Sequence, residues 1–336
     1  MNSEVMNCEA GYKIFSIHNN NSFWNVACET YAYQYHHNPV FSQWCNLTGK
    51  PANNGLPQTL DDISFMPVSF FKTHAVTTTT FTPEAVFESS GTTQTINSRH
   101  LVKSIALYKQ SFLQAFRLFY GNPANWCIIG LLPSYLERSH SSLVVMVQQL
   151  VQDSGHALSG FYLYNHEALA QALQTLEAAG QKTLLIGVTF ALLDFAAAHP
   201  MPLQHTVLME TGGMKGRRRE MIRNEVHAQL QNAFGLQHIH SEYGMTELLS
   251  QAYSNGHGRF YCPPWMKVVV RDEEDPLHVR ETGRGVLNII DLANRYSCSF
   301  IATEDTGIVY PDGSFEVFGR IDHSDIRGCS LMVTSL

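Results

Sequence analysis

Between residues 120 and 245 the chain alternates two textures. "WCIIGLLP", "KTLLIGVT" and "HTVLMETGG" are short, almost unbroken apolar runs rich in β-branched residues, and "GFYLY" is a shorter one. Runs of that length read as strands buried on both faces. Between them, residues 139–153 and 166–179 and the segment "ALLDFAAAH" carry apolar side chains at helical spacing. A further helix is predicted from about Arg217 to Phe234, and "QHIHSEYG" closes the series as a strand. Strands alternating with helices predict a parallel sheet covered by helices, an α/β fold.

The flanks differ. In residues 22–44, Phe23, Val26, Ala27, Thr30 and Tyr31 fall at helical spacing, with His36 and His37 read as a turn. Pro39 and the group Gly49, Lys50, Pro51 punctuate the next stretch of chain. "ISFMPVSFFKTHAV" reads as a strand broken by Pro67. Asn97 or Ser98 is placed to cap a helix bearing Leu101, Ile105, Tyr108, Phe112, Phe116 and Phe119. From Gly256 onward come turns and short strands: "GVLNIIDL", "SCSFIAT" and "GIVYPDGSFEVFG". The predicted organisation is an α/β core over 1–255 and a β-rich part over 256–336.

Composition narrows the class. The 336 residues are 44% hydrophobic and 15% charged, with a net charge of −7. That balance fits a well-buried globular enzyme and gives no electrostatic footprint for nucleic acid or a membrane surface. No apolar run approaches the roughly 18–20 residues that a membrane span needs. The first residues, "MNSEVMNCEAGYKIF", lack the basic and apolar regions of a signal peptide. Seven scattered cysteines without a C-x-x-C pair point to a reducing compartment, and the expected location is the cytoplasm.

In open parallel sheets ligands sit beyond the carboxyl ends of the strands, so the loops after strands hold the candidate chemistry. The run Ser89, Ser90, Gly91, Thr92, Thr93 offers a glycine turn and hydroxyl donors to an anion, although alone such a run reads first as a polar turn. "SEYGMTE" holds Tyr243, Gly244, Thr246 and Glu247: a ring to stack on a base, a hydroxyl for phosphate and a carboxylate for Mg²⁺. It reads equally as a capped helix start. In "TEDTG", Asp305 sits in an expected turn, where it either closes an Asx-turn or holds ribose hydroxyls. "GRIDHSDIRG" adds Arg320. His238 and His240 share a strand face without a third ligand at metal spacing and read as structural. His140 follows a strand and faces the predicted rim, while Cys127 and Cys298 read as core residues.

Together "SSGTT", "GG", "YGMTE", "TEDTG" and "GRIDHSDIRG" resemble, in order, the core motifs of adenylate-forming enzymes. Longer stretches ("PVSFFKTHAV", "LLPSYLERSHSSLVVM", "METGGMKGRRREM", "IDLANRYSCSFIATED") look most like the acyl-protein synthetase, LuxE-like branch, with phenylacetate–CoA ligases as more distant relatives. The resemblance runs from about Ser22 to the end. It implies the large N-terminal-type domain of that superfamily, ATP and Mg²⁺ as cofactors, and a fatty or other carboxylic acid activated as acyl-adenylate and passed to a thiol. By the same resemblance, Ser89 to Thr93 hold the β- and γ-phosphates, Gly212 and Gly213 line the adenine pocket, and Tyr243 stacks on adenine. Thr246 contacts the α-phosphate, Glu247 binds Mg²⁺, Asp305 holds the ribose hydroxyls, and Arg320 lies near ribose and phosphate. Cys329, in "IRGCSLMV", matches the position of that branch's acyl-accepting cysteine. An acyl reductase or acyltransferase is the implied protein partner.

Two departures stand out. Gln94 replaces the last glycine of the usual phosphate loop, and the chain ends just past the hinge-like motif, where the family's mobile lid domain and its lysine would follow. No lysine follows Lys267. Lys215, Arg217, Arg218 and Arg219 are the candidate substitutes, since arginines at a helix N-terminus gain from an anion; the same run reads first as a basic, solvated helix start. The competing readings are coenzyme A as acceptor and a non-catalytic nucleotide- or acyl-binding protein.

Overall fold

The computed structural model describes residues 13–52, 55–89, 96–132, 140–212 and 221–321. Its first long element is helix α1 (Asn20–His37), opened by Asn19, whose side chain accepts from the Ser22 N–H. His36 and His37 close this helix rather than forming a turn. Asn38 ends α1 and caps α2 (Pro39–Leu47), with Pro39 at the helix start, where a missing N–H costs nothing.

"ISFMPVSFF" is not one broken strand. Only β1 (Met66–Pro67) pairs, and α3 (Phe70–Thr73) follows. Pro67 is tolerated because β1 is an edge strand, bonded on one side only, to the later strand β13. The helix expected to start at Asn97 or Ser98 starts later. β2 (Ala85–Glu88) and β3 (Arg99–Val102) form a hairpin that takes Leu101, and Ser104 caps α4 (Ile105–Tyr120). Tyr108, Phe112 and Phe116 then lie buried on one face of α4.

The alternating middle forms the predicted parallel sheet, although "GFYLY" pairs only at Gly160–Phe161. The last helix is described from Arg223, the residues 217–220 of its expected start lying outside the described residues. Strands β4 (Cys127–Leu131), β5 (Gly160–Phe161), β6 (Thr183–Gly187), β7 (Thr206–Glu210) and β8 (His240–Tyr243) are parallel, and β9 (Ala252–Ser254) runs antiparallel at the end; the order is β5-β4-β6-β7-β8-β9. Helices α5 (Ser142–Ser154), α6 (His166–Ala178), α7 (Thr189–Ala198) and α8 (Arg223–Phe234) connect them. Every residue of β4 and β6 is buried, as in sheets covered on both faces.

The second sheet comprises β10 (Met266–Arg271), β11 (Val279–Arg280), β12 (Gly283–Asp291), β13 (Phe300–Val309) and β14 (Phe315–Arg320), with β1 added in parallel to β13. Burial alternates strictly along the second half of β13, so one face packs and the other is open. "TEDTG" is therefore not a turn: Asp305 lies inside β13. Gly307 produces the turn-like signature for a different reason, since a Cβ there would run into the Glu316 carbonyl of β14 where the register shifts.

The two sheets meet through residues 260 and 261. Phe260 bridges Phe315 of β14, and Tyr261 bridges Tyr253 of β9. Far from this seam in sequence, buried Gln34 of α1 donates to the carbonyls of Asn294 and Arg295 and accepts from the Ser299 N–H. Five described cysteines are free thiols, with Cys127 and Cys298 fully buried.

Candidate active site

The carboxyl ends of β7 and β8 and the middle of β13 face one another across the seam. Tyr243, the last residue of β8, donates its hydroxyl to Asp305 Oδ2 at 2.7 Å. Its ring is wedged edge-on against Phe315 (5.4 Å) and tilted against Phe260 (5.8 Å). Asp305 Oδ1 accepts from Arg320 Nε at 3.3 Å, the two residues being direct partners across β13 and β14. Asp305 is buried while the Arg320 side chain is 57% exposed, so the pair presents a buried carboxylate under a solvent-facing cation. Each carboxylate oxygen keeps a free lone pair, enough to accept from a vicinal diol.

After Tyr243 the chain forms a turn, not a helix; the capped-helix alternative fails because the backbone groups of 246–250 are held by distant partners. His100 Nδ1 meets the Thr246 carbonyl at 2.9 Å, and its other ring nitrogen meets Ser297 Oγ at 2.9 Å. Burial drives the His100 imidazole down to about 4, so it stays neutral. Asn294 Nδ2 donates to the Glu247 carbonyl at 2.6 Å. Asp291 accepts from the N–H groups of Leu249, Ser250 and Ala293 and from Ser250 Oγ. This clamp holds Thr246 and Glu247 at the rim. The Glu247 carboxyl is buried, which lifts it above the usual carboxylate range despite a hydrogen bond from Ser98 and the charges of Arg320 and Lys72. A carboxylate in that state gains from a bound cation.

The loop after β7 is built differently. Gly212 has φ +72 and open space where a side chain would stand, so the backbone approaches the rim bare. Glu210 fixes it: Oε2 accepts from the Gly212 N–H (2.8 Å) and Thr189 Oγ1 (3.1 Å). Arg223 and His227 lie 3.5 and 3.7 Å from Oε1. Burial opposes the Glu210 charge, but His227, Arg223 and Gly212 outweigh it and bring the carboxyl down to about 2.

The phosphate-loop candidates are described only at the base. Ser89 and Ser98 exchange two hydrogen bonds (3.1 and 2.9 Å), and the Glu88 N–H reaches the His140 carbonyl, closing the hairpin under the loop. His140 itself is exposed. Ser90, Gly91, Thr92, Thr93, Gln94, Gly213, Lys215, Arg217, Arg218, Arg219 and Cys329 lie outside the described residues. His240 bonds the Tyr120 hydroxyl at 3.1 Å, and His238 packs on His257. Among the described residues no group of three or more His, Cys, Asp or Glu could hold a metal. Glu247 alone fits Mg²⁺ of the kind that takes one or two carboxylates and completes its shell with phosphate and water.

Sequence reasoning brought Tyr243, Asp305, Arg320, Thr246, Glu247 and Gly212 to this rim. It missed the groups that hold them: His100, Asp291, Asn294, Glu210 and Ser98. Asp291 and Asn294 stand in "IDLANRYS", which carried resemblance but no assigned role.

No family model matches the sequence, and no curated protein is significantly similar to it. Solved structures do match. MatB from Rhodopseudomonas palustris with ATP bound shares 16% identity at a TM-score of 0.52, over 70% of this chain and 48% of that one. An ATP-bound MatB chimera gives 16% and 0.54 over the same shares. A long-chain-fatty-acid–CoA ligase from Archaeoglobus fulgidus gives 14% and 0.50, over 74% and 53%. The chain thus spans about half the length of these structures. At such identities the likeness is one of fold: this chain has the α/β fold of the large domain of adenylate-forming enzymes.

Proposed function

We propose that the protein activates a carboxylic acid with ATP, forming an acyl-adenylate and pyrophosphate, and passes the acyl group to a thiol. The observation that carries this reading is the Tyr243–Asp305–Arg320 chain standing beside Glu247 and the bare Gly212 backbone at one rim. Asp305 accepts the two ribose hydroxyls. Tyr243, held edge-on by Phe260 and Phe315, bounds the adenine, and Gly212 and Gly213 let it approach. Thr246 contacts the α-phosphate, Gly244 leaves room for it, and Arg320 swings between ribose and phosphate. Ser89 to Thr93 take the outer phosphates. Glu247 would hold Mg²⁺, which supplies charge neutralisation on the phosphates. Lys215 balances charge on the pentavalent phosphorus. Such chemistry asks mainly for positioning and fixed charge, which the clamp around 246–250 provides.

Transfer to a protein thiol, with Cys329 as the first acceptor and an acyl reductase or acyltransferase downstream, follows the LuxE-like resemblance. Coenzyme A is the second reading, favoured by the fold shared with the ligase from Archaeoglobus fulgidus. Pyrophosphate exchange into ATP across a panel of acids tests activation: absence of exchange with every acid overturns it. An acyl adduct seen by intact mass, and lost in Cys329→Ala, separates the protein thiol from coenzyme A.

A further inference from the structure

β8 has a second face. Tyr243 points toward Asp305, so Glu242 points the opposite way, toward α4. Glu242 is the direct antiparallel partner of Tyr253 on β9, which puts both side chains on one face. Gln251, two residues before Tyr253, shares that face. The Glu242 carboxylate lies against the Cα of exposed Gly244: a Cβ at Gly244 would strike Glu242 Oε1 and come within 3.5 Å of Gln251 Cγ. Glu242 and Gln251 therefore flank the loop that carries Thr246 and Glu247.

The oxygens collected here have no protein partners among the described residues. Gln251 is 4% exposed and Tyr253 1%, yet Gln251 Oε1 and Tyr253 Oη have no hydrogen-bond partner among the described residues. No described donor reaches the Glu242 carboxyl. Glu210 lies near it, and Arg223 and His227 are partners of Glu210 Oε1. Burial and the Glu210 charge lift Glu242 to about 8, the response of a carboxyl that lacks a cation. Leaving the buried Gln251 Oε1 and Tyr253 Oη unpartnered beside a carboxyl is costly unless a donor arrives. An ammonium has three N–H donors and no acceptor, which matches that set.

We infer that Glu242, with Gln251 Oε1 and Tyr253 Oη, is the specificity-determining subsite for an amino group on the acid substrate, bound as an ammonium. The inference deepens the proposed acid activation and rests on that reading for its place in the reaction. It replaces a plain fatty acid with an amino-substituted acid as the preferred substrate class.

Isothermal titration of the full chain tests it, using 4-aminobutanoate, 6-aminohexanoate and L-2-aminohexanoate against butanoate and hexanoate. At least one amino acid is expected to bind about tenfold or more tightly than its unsubstituted counterpart, and Glu242→Gln to cut that preference to about twofold. Tyr253→Phe, which keeps the ring packing, is expected to lower the preference severalfold. Equal binding of both classes, a preference that Glu242→Gln leaves unchanged, or no binding of any amino acid overturns the subsite. Pyrophosphate exchange, run in parallel, separates the two readings. An amino preference in binding without exchange for any acid sinks acid activation and upholds the subsite. Exchange that favours unsubstituted acids in wild type sinks the subsite and upholds activation.

Discussion

Two adjacent residues of β8 serve opposite faces, and their carboxyl neighbours are treated in opposite ways. On the Tyr243 face, Asp305 is met by a hydroxyl and a guanidinium held in place by strand pairing. On the Glu242 face, the carboxyl meets the Glu210 charge and, among the described residues, no donor. A saturated acid is a finished part, ready to receive neutral hydroxyls. An unsaturated one is built to be completed by a ligand. The number of acidic residues near a rim therefore says little; the number of donors already assigned to each says what it can still bind.

Four substitutions bear on that contrast. The largest effect is expected from Asp305→Ala, which should lower pyrophosphate exchange by about 10²-fold or more through loss of substrate positioning. Exchange at the wild-type rate would remove Asp305 from the site. Asp291→Ala strips the acceptor from four donors in the 249–293 clamp. It is expected to cost about 2–4 kcal/mol in urea unfolding, because buried donors left unpaired carry their full desolvation penalty. A loss below 0.5 kcal/mol, taking about 1 kcal/mol as the ordinary worth of a single hydrogen bond, would refute the clamp.

The third concerns pH. Glu242 has its folded value raised to about 8, so between the unfolded carboxyl value and 8 the native state binds more protons, and stability falls as pH rises through that window. His100 and His240 are depressed to about 4, so their contribution grows from 4 to 6.5 and is complete above it. From pH 6.5 to 8 the histidine contribution is level and Glu242 adds a decline. Glu242→Gln should flatten it, a change on the order of 1–2 kcal/mol over that interval. A wild-type profile already flat there would show that Glu242 ionises freely. The smallest effect is that of Tyr253→Phe on stability, within about 0.5 kcal/mol and as readily stabilising, since the hydroxyl it removes has no partner among the described residues. A loss of several times that size would reveal a bond to the hydroxyl.

The parallel sheet is legible in the sequence because its strands are apolar throughout and its helices amphipathic, so periodicity alone separates them. "TEDTG" misleads because composition cannot distinguish a glycine that turns the chain from one that lets a neighbouring strand pass close, as Gly307 does. The start of α4 escapes because Leu101 fits a helical face as well as a hairpin; the pairing of β3 with β2 decides it, and pairing is non-local. Motif residues at the rim can be picked out by kind and order. Their supports cannot: Asp291 and His100 act through backbone atoms of 246–250, which no local pattern encodes. Glu242 gives no signal beside Tyr243 because its meaning depends on a β7 neighbour some thirty residues earlier, a separation read directly from the numbering.

Gln34 has a consequence for how the molecule comes into being. It joins the first long helix to the turn at 294–299, and Asn294 in that turn holds the Glu247 carbonyl. A chain emerging from the ribosome makes α1 early and must wait until almost all of the described length has been synthesised before Gln34 finds its acceptors. Until then Tyr31 of α1 has its early partners Phe41, Cys45 and Lys50 but lacks Phe300 of β13, so part of the apolar face of α1 stays uncovered. Contacts this distant in sequence form slowly, and exposed apolar surface during the wait invites aggregation. The rim's support at 294–299 therefore closes late, through the same glutamine that ties α1 to it.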